Sequence, residues 1–246
     1  MILVVGSIVI QALLIVHCIK TGRNTIWIWV IALLSYAGIV AYVAVELLPD
    51  LFRSRTAQRT VRGVKKAMDP GADLRRYEEQ ARLTGNVSSR QKYAEELVRQ
   101  GRGAEAVDVY RQALTGLYEH DPDLLLGLAR AQFQSGQPGE ARATLDRLIA
   151  KNPEFRSPEG HLLYARALES EGDRARALDE YRVLAGYYPG AEAAVRYAQL
   201  LRSQDQRDEA RKALTDLLDQ ARAAPPHYRR VQEDWLKQAE RELSAL

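Results

Sequence analysis

Four histidines and one cysteine are the least frequent residues of this sequence that could hold a metal ion or perform nucleophilic or acid–base chemistry. They are His17, Cys18, His120, His161 and His227. No two histidines have the three- or four-residue spacing that places metal ligands on one face of a helix, and a single cysteine supports neither a disulfide framework nor a thiolate metal site. The sequence contains no Gly-rich phosphate loop and no Gly-x-Ser-x-Gly elbow. It therefore predicts a protein without catalytic residues, metal ligands or cofactor.

Arginine offers a different chemistry, the binding of carboxylates. Arg130 and Arg166 are 36 residues apart, and the two segments that contain them resemble each other. A planar guanidinium group can bind a carboxylate through two parallel hydrogen bonds. The pair could therefore hold an acidic or C-terminal peptide. The alternative is that both arginines pair with neighbouring Glu159, Glu169 or Glu192 on a solvated face.

The segments that position these arginines are repeated along the chain. Three times a glycine, at the predicted reversal between two helices, is followed five residues later by an alanine, and the fourth time an aspartate replaces the glycine. The pairs are Gly101 and Ala106, Gly136 and Ala141, Gly172 and Ala177, and Asp205 and Ala210. Their spacings of 35, 36 and 33 residues are close to the 34-residue period of the tetratricopeptide repeat. The chain resembles this family over about residues 88–224.

Each unit also carries small residues where two helices would approach closely. They are Ala94, Ala129, Ala165 and Ala198 in the first helices, and the four alanines of the pairs above in the second helices. We therefore predict an all-α protein, with an N-terminal transmembrane helical hairpin followed by a tetratricopeptide-type α-solenoid of about four repeats. The predicted domains are the hairpin at residues 1–48, a basic amphipathic connector and short helix at 49–87, the repeats at 88–224 and a C-terminal capping helix at 225–246.

The resemblance implies that the first helix of each repeat lines a concave groove where a protein or peptide partner binds. Its register positions give the predicted partner-binding residues, which are Arg99, Leu126, Arg130, Phe133, Leu162, Arg166, Val195 and Arg202. Beyond the repeats, an apolar stripe at helical spacing predicts one capping helix over residues 227–246. The stripe consists of Tyr228, Val231, Trp235, Ala239 and Leu243.

Two apolar runs without charged residues, 2–19 and 26–45, precede the repeats. A helical membrane crossing needs about 20 apolar residues, so the runs predict a hairpin with both ends on one side of a bilayer. The Lys20-Thr21-Gly22-Arg23 turn, the Trp27-x-Trp29 pair, and the run with Gly38 and Tyr42 ahead of Pro49 resemble the N-terminal membrane segment of cardiolipin synthase and other phospholipase D-type proteins. The paired His-x-Lys motifs of those enzymes are absent from this sequence. The hairpin and repeats together resemble a bacterial group of membrane-anchored tetratricopeptide proteins.

A basic block follows the second apolar run. It consists of Arg53, Arg55, Arg59, Arg62, Lys65 and Lys66, with no acidic residue among them. Basic residues collect on the cytoplasmic side and contact anionic lipid, so we expect the repeats in the cytoplasm at the inner membrane. We expect no nucleic-acid partner. The segment is interpreted either as a basic helix on the membrane surface or as a solvated helical linker.

We therefore expect a non-catalytic scaffold or adaptor that recruits a protein or peptide to the membrane. The alternative is a regulatory or assembly subunit of an integral membrane enzyme, one connected with lipids or the envelope. The small residues Ala37 and Ala41, four positions apart, are compatible with packing of the hairpin against such an enzyme.

Overall fold

The computed structural model describes Gln11, residues 13–20 and 26–33, Val45, Asp69, and residues 71–246. The chain divides into two compact units, Met1–Ala72 and Asp73–Leu246. All regular elements in the described residues are helical. This agrees with the predicted all-α class.

In the first unit, residues 13–20 are helical. The helix that follows them spans Ile26–Leu33 and is labelled α1. The two segments pack on each other through Cys18 and Ile31, which are fully buried, and the Gln11 side-chain amide donates a hydrogen bond to the Ile31 carbonyl at 3.1 Å. Among the described residues, no helix combines the length and the apolar character needed to cross a membrane. Most of both predicted spans lies outside those residues. So does the basic block of Arg53, Arg55, Arg59, Arg62, Lys65 and Lys66.

From Ala72 onward the chain is a succession of helical hairpins. The helices are α2 (Ala72–Thr84), α3 (Val87–Arg99), α4 (Gly103–Ala113), α5 (Pro122–Gln134), α6 (Pro138–Lys151), α7 (Pro158–Ser170), α8 (Arg174–Ala185), α9 (Glu192–Ser203), α10 (Arg207–Ala223), α11 (Pro226–Val231) and α12 (Glu233–Ser244), with a 3₁₀ turn at Gly116–Tyr118. The first helices of the four repeats are α3, α5, α7 and α9, and the second helices are α4, α6, α8 and α10. The short helix predicted within residues 49–87 corresponds to α2.

Side-chain oxygens fix the start of several first helices. The Asn86 side chain accepts a hydrogen bond from the Ser89 amide at 2.8 Å, and Asp121 and Ser157 do the same for Leu124 and Gly160. A side-chain acceptor at this position satisfies an amide that the helix leaves without a partner. Proline follows directly in α5 and α7, where its fixed φ suits the first helical turn.

Each hairpin reverses direction at the predicted position. The residues there have positive φ in all four repeats, with 79° at Gly101, 79° at Gly136, 85° at Gly172 and 61° at Asp205. Glycine adopts this conformation without steric cost, whereas Asp205 does so as the only non-glycine residue among those described. The aspartate therefore keeps the backbone path of the glycine that it replaces.

The core is built from the small residues that the repeat pattern indicated. The alanines of the first helices are at most 2% exposed and those of the second helices are fully buried. Large side chains of the second helices fill the remaining space, namely Tyr110, Leu145, Tyr181 and Leu214. Small residues allow the helix axes to approach, and close packing follows from the larger side chains between them.

The C-terminal segment is two helices, whereas one was predicted. The break is at Gln232, whose side-chain oxygen accepts a hydrogen bond from the Ala191 amide at 3.0 Å, at the start of α9. Beyond it, α12 packs Trp235, Ala239 and Leu243 on the last repeat. Val231 is 61% exposed, so the prediction that it lies on the buried stripe was wrong.

Candidate functional site

The first helices enclose a groove of about 640 Å³. We call it the first-helix groove and define it by its lining residues, which are Val98, Arg130, Phe133, Gln134, Glu159, Leu162, Leu163, Arg166, Tyr188 and Glu192. These residues belong to α3, α5, α7 and the beginning of α9, apart from Tyr188 in the loop before α9. Four of the predicted partner-binding residues come together here, namely Arg130, Phe133, Leu162 and Arg166.

Arg130 and Arg166 both line the groove, but their surroundings differ. Arg166 lies over the Phe133 ring, with 4.9 Å between its Cζ and the ring centroid, and its Nε is 3.7 Å from Glu192 Oε1. Arg130 is exposed and forms no ion pair or side-chain hydrogen bond with any described residue. The sequence left two alternatives open for this pair. Arg166 pairs internally, whereas the guanidinium group of Arg130 is available to a ligand.

Glu192 belongs to a charged network at one side of the groove. Its Oε1 is 2.7 Å from Arg196 Nε, and Arg196 Nη1 is 3.1 Å from Glu169 Oε2. The buried Tyr181 hydroxyl donates to the same Glu169 oxygen at 2.7 Å, and burial raises the pKa of Tyr181 well above its usual range. Arg196 and Arg166 therefore share one oxygen of Glu192, with Arg196 the closer of the two.

The two outer arginines of the predicted set pair with carboxylates, of which Glu96 is buried and Glu242 is 16% exposed. Arg99 forms an ion pair with Glu96, which is 2% exposed and also accepts a hydrogen bond from the Gln100 side chain at 3.0 Å. Arg202 Nη1 is 2.7 Å from Glu242 Oε2 on α12. Neither arginine lines the groove. Breaking either pair would leave a carboxylate with little access to water, so both arginines have a structural role.

The remaining predicted residues are largely buried. Val195 is 0% exposed and Leu126 is 7% exposed, and both pack in the cores of their repeats. Leu162 is also mostly buried but contributes to the groove wall. Leu162 is 5% exposed, so among the apolar residues of the predicted set only Phe133 is both partly exposed and in the groove, and apolar contact with a partner falls mainly to Phe133.

Comparison with known proteins accounts for the repeated geometry. Residues 97–167 match the family model described as tetratricopeptide repeat. The chain contains tetratricopeptide repeats. No curated protein matches it.

Solved structures share the fold of this tetratricopeptide solenoid. One crystal structure of MamA has a TM-score of 0.55 at 18% identity, covering 69% of this chain and 96% of that one. The structure of MamA 41-end from Desulfovibrio magneticus RS-1 has a TM-score of 0.55 at 14% identity, covering 69% of this chain and 97% of that one. TTC0263, described as a thermophilic TPR protein in Thermus thermophilus, has a TM-score of 0.53 at 17% identity, covering 76% of this chain and 96% of that one. At these identities the likeness establishes the fold.

The tetratricopeptide register did not indicate every residue of the groove. Tyr188 lies in the loop before α9, and Glu159 and Glu192 lie in the first turns of α7 and α9. Burial raises the pKa of Tyr188, with Glu192 and Glu159 adding to the shift. The register assigns positions on the first helices only, so it did not indicate Tyr188.

A second concavity lies elsewhere in the tetratricopeptide solenoid and contains His161, for which the sequence predicted no catalytic or metal-binding role. Its Nδ1 is 2.6 Å from the Tyr187 hydroxyl and its Nε2 is 2.5 Å from Glu180 Oε2. The rings of His161 and Tyr187 are stacked, with 5.9 Å between their centroids. The partners lie 19 and 26 residues away in sequence, a distance that periodicity alone does not bridge.

Proposed function

We propose that this protein is a non-catalytic scaffold that binds a protein or peptide segment in the first-helix groove. The observation that carries the proposal is Arg130, an exposed guanidinium without an ion pair to any described residue, in a groove that also presents Phe133 and Leu162. A charge-assisted, bidentate hydrogen bond to a carboxylate suits this group. Neighbouring apolar side chains would supply contact area for the same ligand.

The charges of the groove also indicate the orientation of the ligand. Glu159, in the first turn of α7, is exposed and forms no ion pair with a described residue. Arg130 on α5 and Glu159 on α7 therefore offer opposite charges on two adjacent first helices. A segment with an acidic group towards α5 and a basic group towards α7 would complement both.

Photo-crosslinking from within the groove tests this proposal. p-Benzoylphenylalanine replaces Phe133 in the full chain, and the matched control carries it at Tyr228 on α11. We expect a defined partner to crosslink from position 133 only, and Arg130→Glu in the same chain to reduce the yield at least about tenfold, as for loss of a charge-assisted contact. Equal crosslinking from both positions, or a yield unaffected by Arg130→Glu, would contradict the proposal.

We further propose that the N-terminal segment holds the scaffold at the inner membrane, with the repeats in the cytoplasm. Leu13, Val16 and Ile19, spaced along one helix face, are 64%, 49% and 64% exposed, as a lipid-facing stripe would be. The two uncharged runs and the basic block that follows them favour the same location.

Carbonate extraction and a reporter fusion test the membrane proposal. The full chain should resist extraction from membranes at high pH, and a chain lacking residues 1–48 should be released. A reporter fused after Leu246 should be active in its cytoplasmic form only. Extraction of the full chain, or activity of a periplasmic reporter, would refute the proposed anchor or its orientation respectively.

A further inference from the structure

A pocket of about 470 Å³ lies between the second helices α6 and α8, beside the start of α7 and the loop at 152–157. We call it the His161 pocket. It shares no lining residue with the first-helix groove. Glu159 and His161 are two positions apart on α7, which corresponds to about 200° of rotation, so the groove and the pocket lie on different sides of this helix.

The wall of the pocket on the α6 side is apolar. Leu145 and Leu148 are almost fully buried beneath it, Phe155 in the loop is partly buried, and Ile149 is 59% exposed. An exposed isoleucine beside a concave apolar surface is the arrangement that receives a bulky side chain at protein interfaces. The volume is sufficient for an aromatic side chain together with the residue that follows it.

The opposite end of the pocket is polar and rich in hydrogen-bond acceptors. Because Glu180 and Tyr187 occupy both ring nitrogens of His161, the ring is fixed and has no further nitrogen to offer. Glu180 bonds through Oε2, and its Oε1 makes no hydrogen bond to a described residue. A carboxylate can accept several hydrogen bonds, so Glu180 can take a further donor from a ligand.

The charges around the pocket favour a cation. Arg156 is the only arginine or lysine among the lining residues, and it donates to the carbonyl groups of Pro153 and Phe155. Asp146 also lines the pocket, and its Oδ2 is 3.1 Å from Arg142 Nη1. The Nε of the same arginine is 2.5 Å from Glu171 Oε2. Among the described residues, Glu180 forms an ion pair or side-chain hydrogen bond with His161 alone. The lining of the pocket therefore carries two carboxylates, Asp146 and Glu180, against the single guanidinium charge of Arg156.

We propose that the His161 pocket is a second binding site, which takes a partner segment with a large apolar side chain directly followed by lysine or arginine. The apolar side chain packs on Leu148, Ile149 and Phe155. The basic group donates to Glu180. The site is separate from the first-helix groove and does not depend on the function proposed for that groove.

The phenylalanines of the chain provide a direct test. There are three, at positions 52, 133 and 155, of which Phe133 lines the first-helix groove and Phe155 lines the His161 pocket. The full chain is labelled with 4-fluorophenylalanine and its ¹⁹F spectrum is assigned with Phe133→Leu and Phe155→Leu. The probe is the capped dipeptide acetyl-Trp-Lys-amide. We expect a saturable shift of the Phe155 resonance and an unchanged Phe133 resonance.

Two further probes separate the apolar and the charged contributions. Acetyl-Trp-Glu-amide reverses the charge and acetyl-Ala-Lys-amide removes the aromatic ring, and each should bind at least about fivefold more weakly. Equal affinity for acetyl-Trp-Glu-amide would show an apolar site without preference for a cation. Absence of a saturable Phe155 shift would show that no such ligand enters the pocket. Either outcome overturns the proposal, and neither bears on the first-helix groove, which crosslinking from position 133 tests separately.

A matched pair of variants assigns the charge preference to one carboxylate. Glu180→Gln retains an acceptor for His161 and removes the charge, so binding of acetyl-Trp-Lys-amide should weaken about fivefold. Asp179→Asn removes an adjacent, exposed carboxylate that pairs with Arg182, and it should leave binding unchanged. Equal binding by Glu180→Gln and the unaltered chain, with folding confirmed by circular dichroism, would also overturn the proposal.

Discussion

Arg166 lies with its Cζ 4.9 Å from the Phe133 ring centroid, an interaction between α7 and α5 that has no counterpart at Arg130 among the described residues. Arg166→Glu should therefore lower the free energy of unfolding by about 1–2 kcal/mol, since it removes the cation–π contact and places a carboxylate beside Glu192. Arg130→Glu should change the free energy of unfolding by no more than about 0.5 kcal/mol. Urea denaturation measures both. Equal destabilisation would contradict the assignment of Arg166 as the structural member of the pair.

The turn glycine Gly172 provides a test of the hairpin geometry. Its φ is 85°, and a Cβ added there would meet nothing within 4 Å, so only the backbone conformation opposes a side chain. Gly172→Ala should lower the free energy of unfolding by about 1 kcal/mol.

Gly186 is the matched control, because its φ is −80° at the end of α8. Gly186→Ala should be neutral or stabilising by up to about 1 kcal/mol, since it restricts the unfolded chain without strain. Thermal and urea denaturation of both variants give the comparison. A similar loss of stability in the two would show that the positive φ is not what opposes a side chain at Gly172.

Ionisation of buried tyrosines should destabilise the fold at alkaline pH. Burial raises the pKa of Tyr181 and of Tyr110 above the usual value near 10. Because the folded-state pKa is the higher one, stability is fully present below about pH 10 and is lost as the pH rises further.

Phenylalanine substitutions separate the hydrogen bond from the ionisation. Tyr181→Phe should cost about 1 kcal/mol at pH 7, because the bond to Glu169 is lost, and the cost should shrink above about pH 10. Tyr110→Phe should cost less at pH 7, since no hydrogen bond from Tyr110 to a described residue is present. Urea denaturation between neutral and alkaline pH measures these differences. A cost for Tyr181→Phe that stays constant into the alkaline range would exclude ionisation as the cause.

The link between Gln232 and Ala191 should hold the C-terminal helices in place. Gln232→Ala removes the acceptor for the Ala191 amide and should lower the free energy of unfolding by about 1 kcal/mol. It should also increase amide hydrogen exchange in α12. Gln238→Ala, in α12 itself, removes a glutamine without such a bond to a described residue and should have little effect. Unchanged exchange in Gln232→Ala would show that apolar packing alone docks α12.

The repeat pattern was sufficient to predict the helical hairpins, their reversal points and the small residues of the core. Period and side-chain size determine these features locally: a residue at positive φ must be glycine or a tolerant substitute such as Asp205, and alanine must occupy positions of close helix approach. The family register also brought Arg130 and Arg166 into one groove.

Tertiary structure alone decided which polar groups are available. Arg130 and Arg166 are equivalent in sequence, yet Glu192 and Phe133 hold only Arg166, because partners from α9 and α5 are specific to that place in the stack. In the same way, His161 acquires Glu180 and Tyr187 from α8 and the loop after it. A repeat period specifies the positions that neighbouring helices share, whereas an ion pair or a pocket depends on the different side chains that meet there.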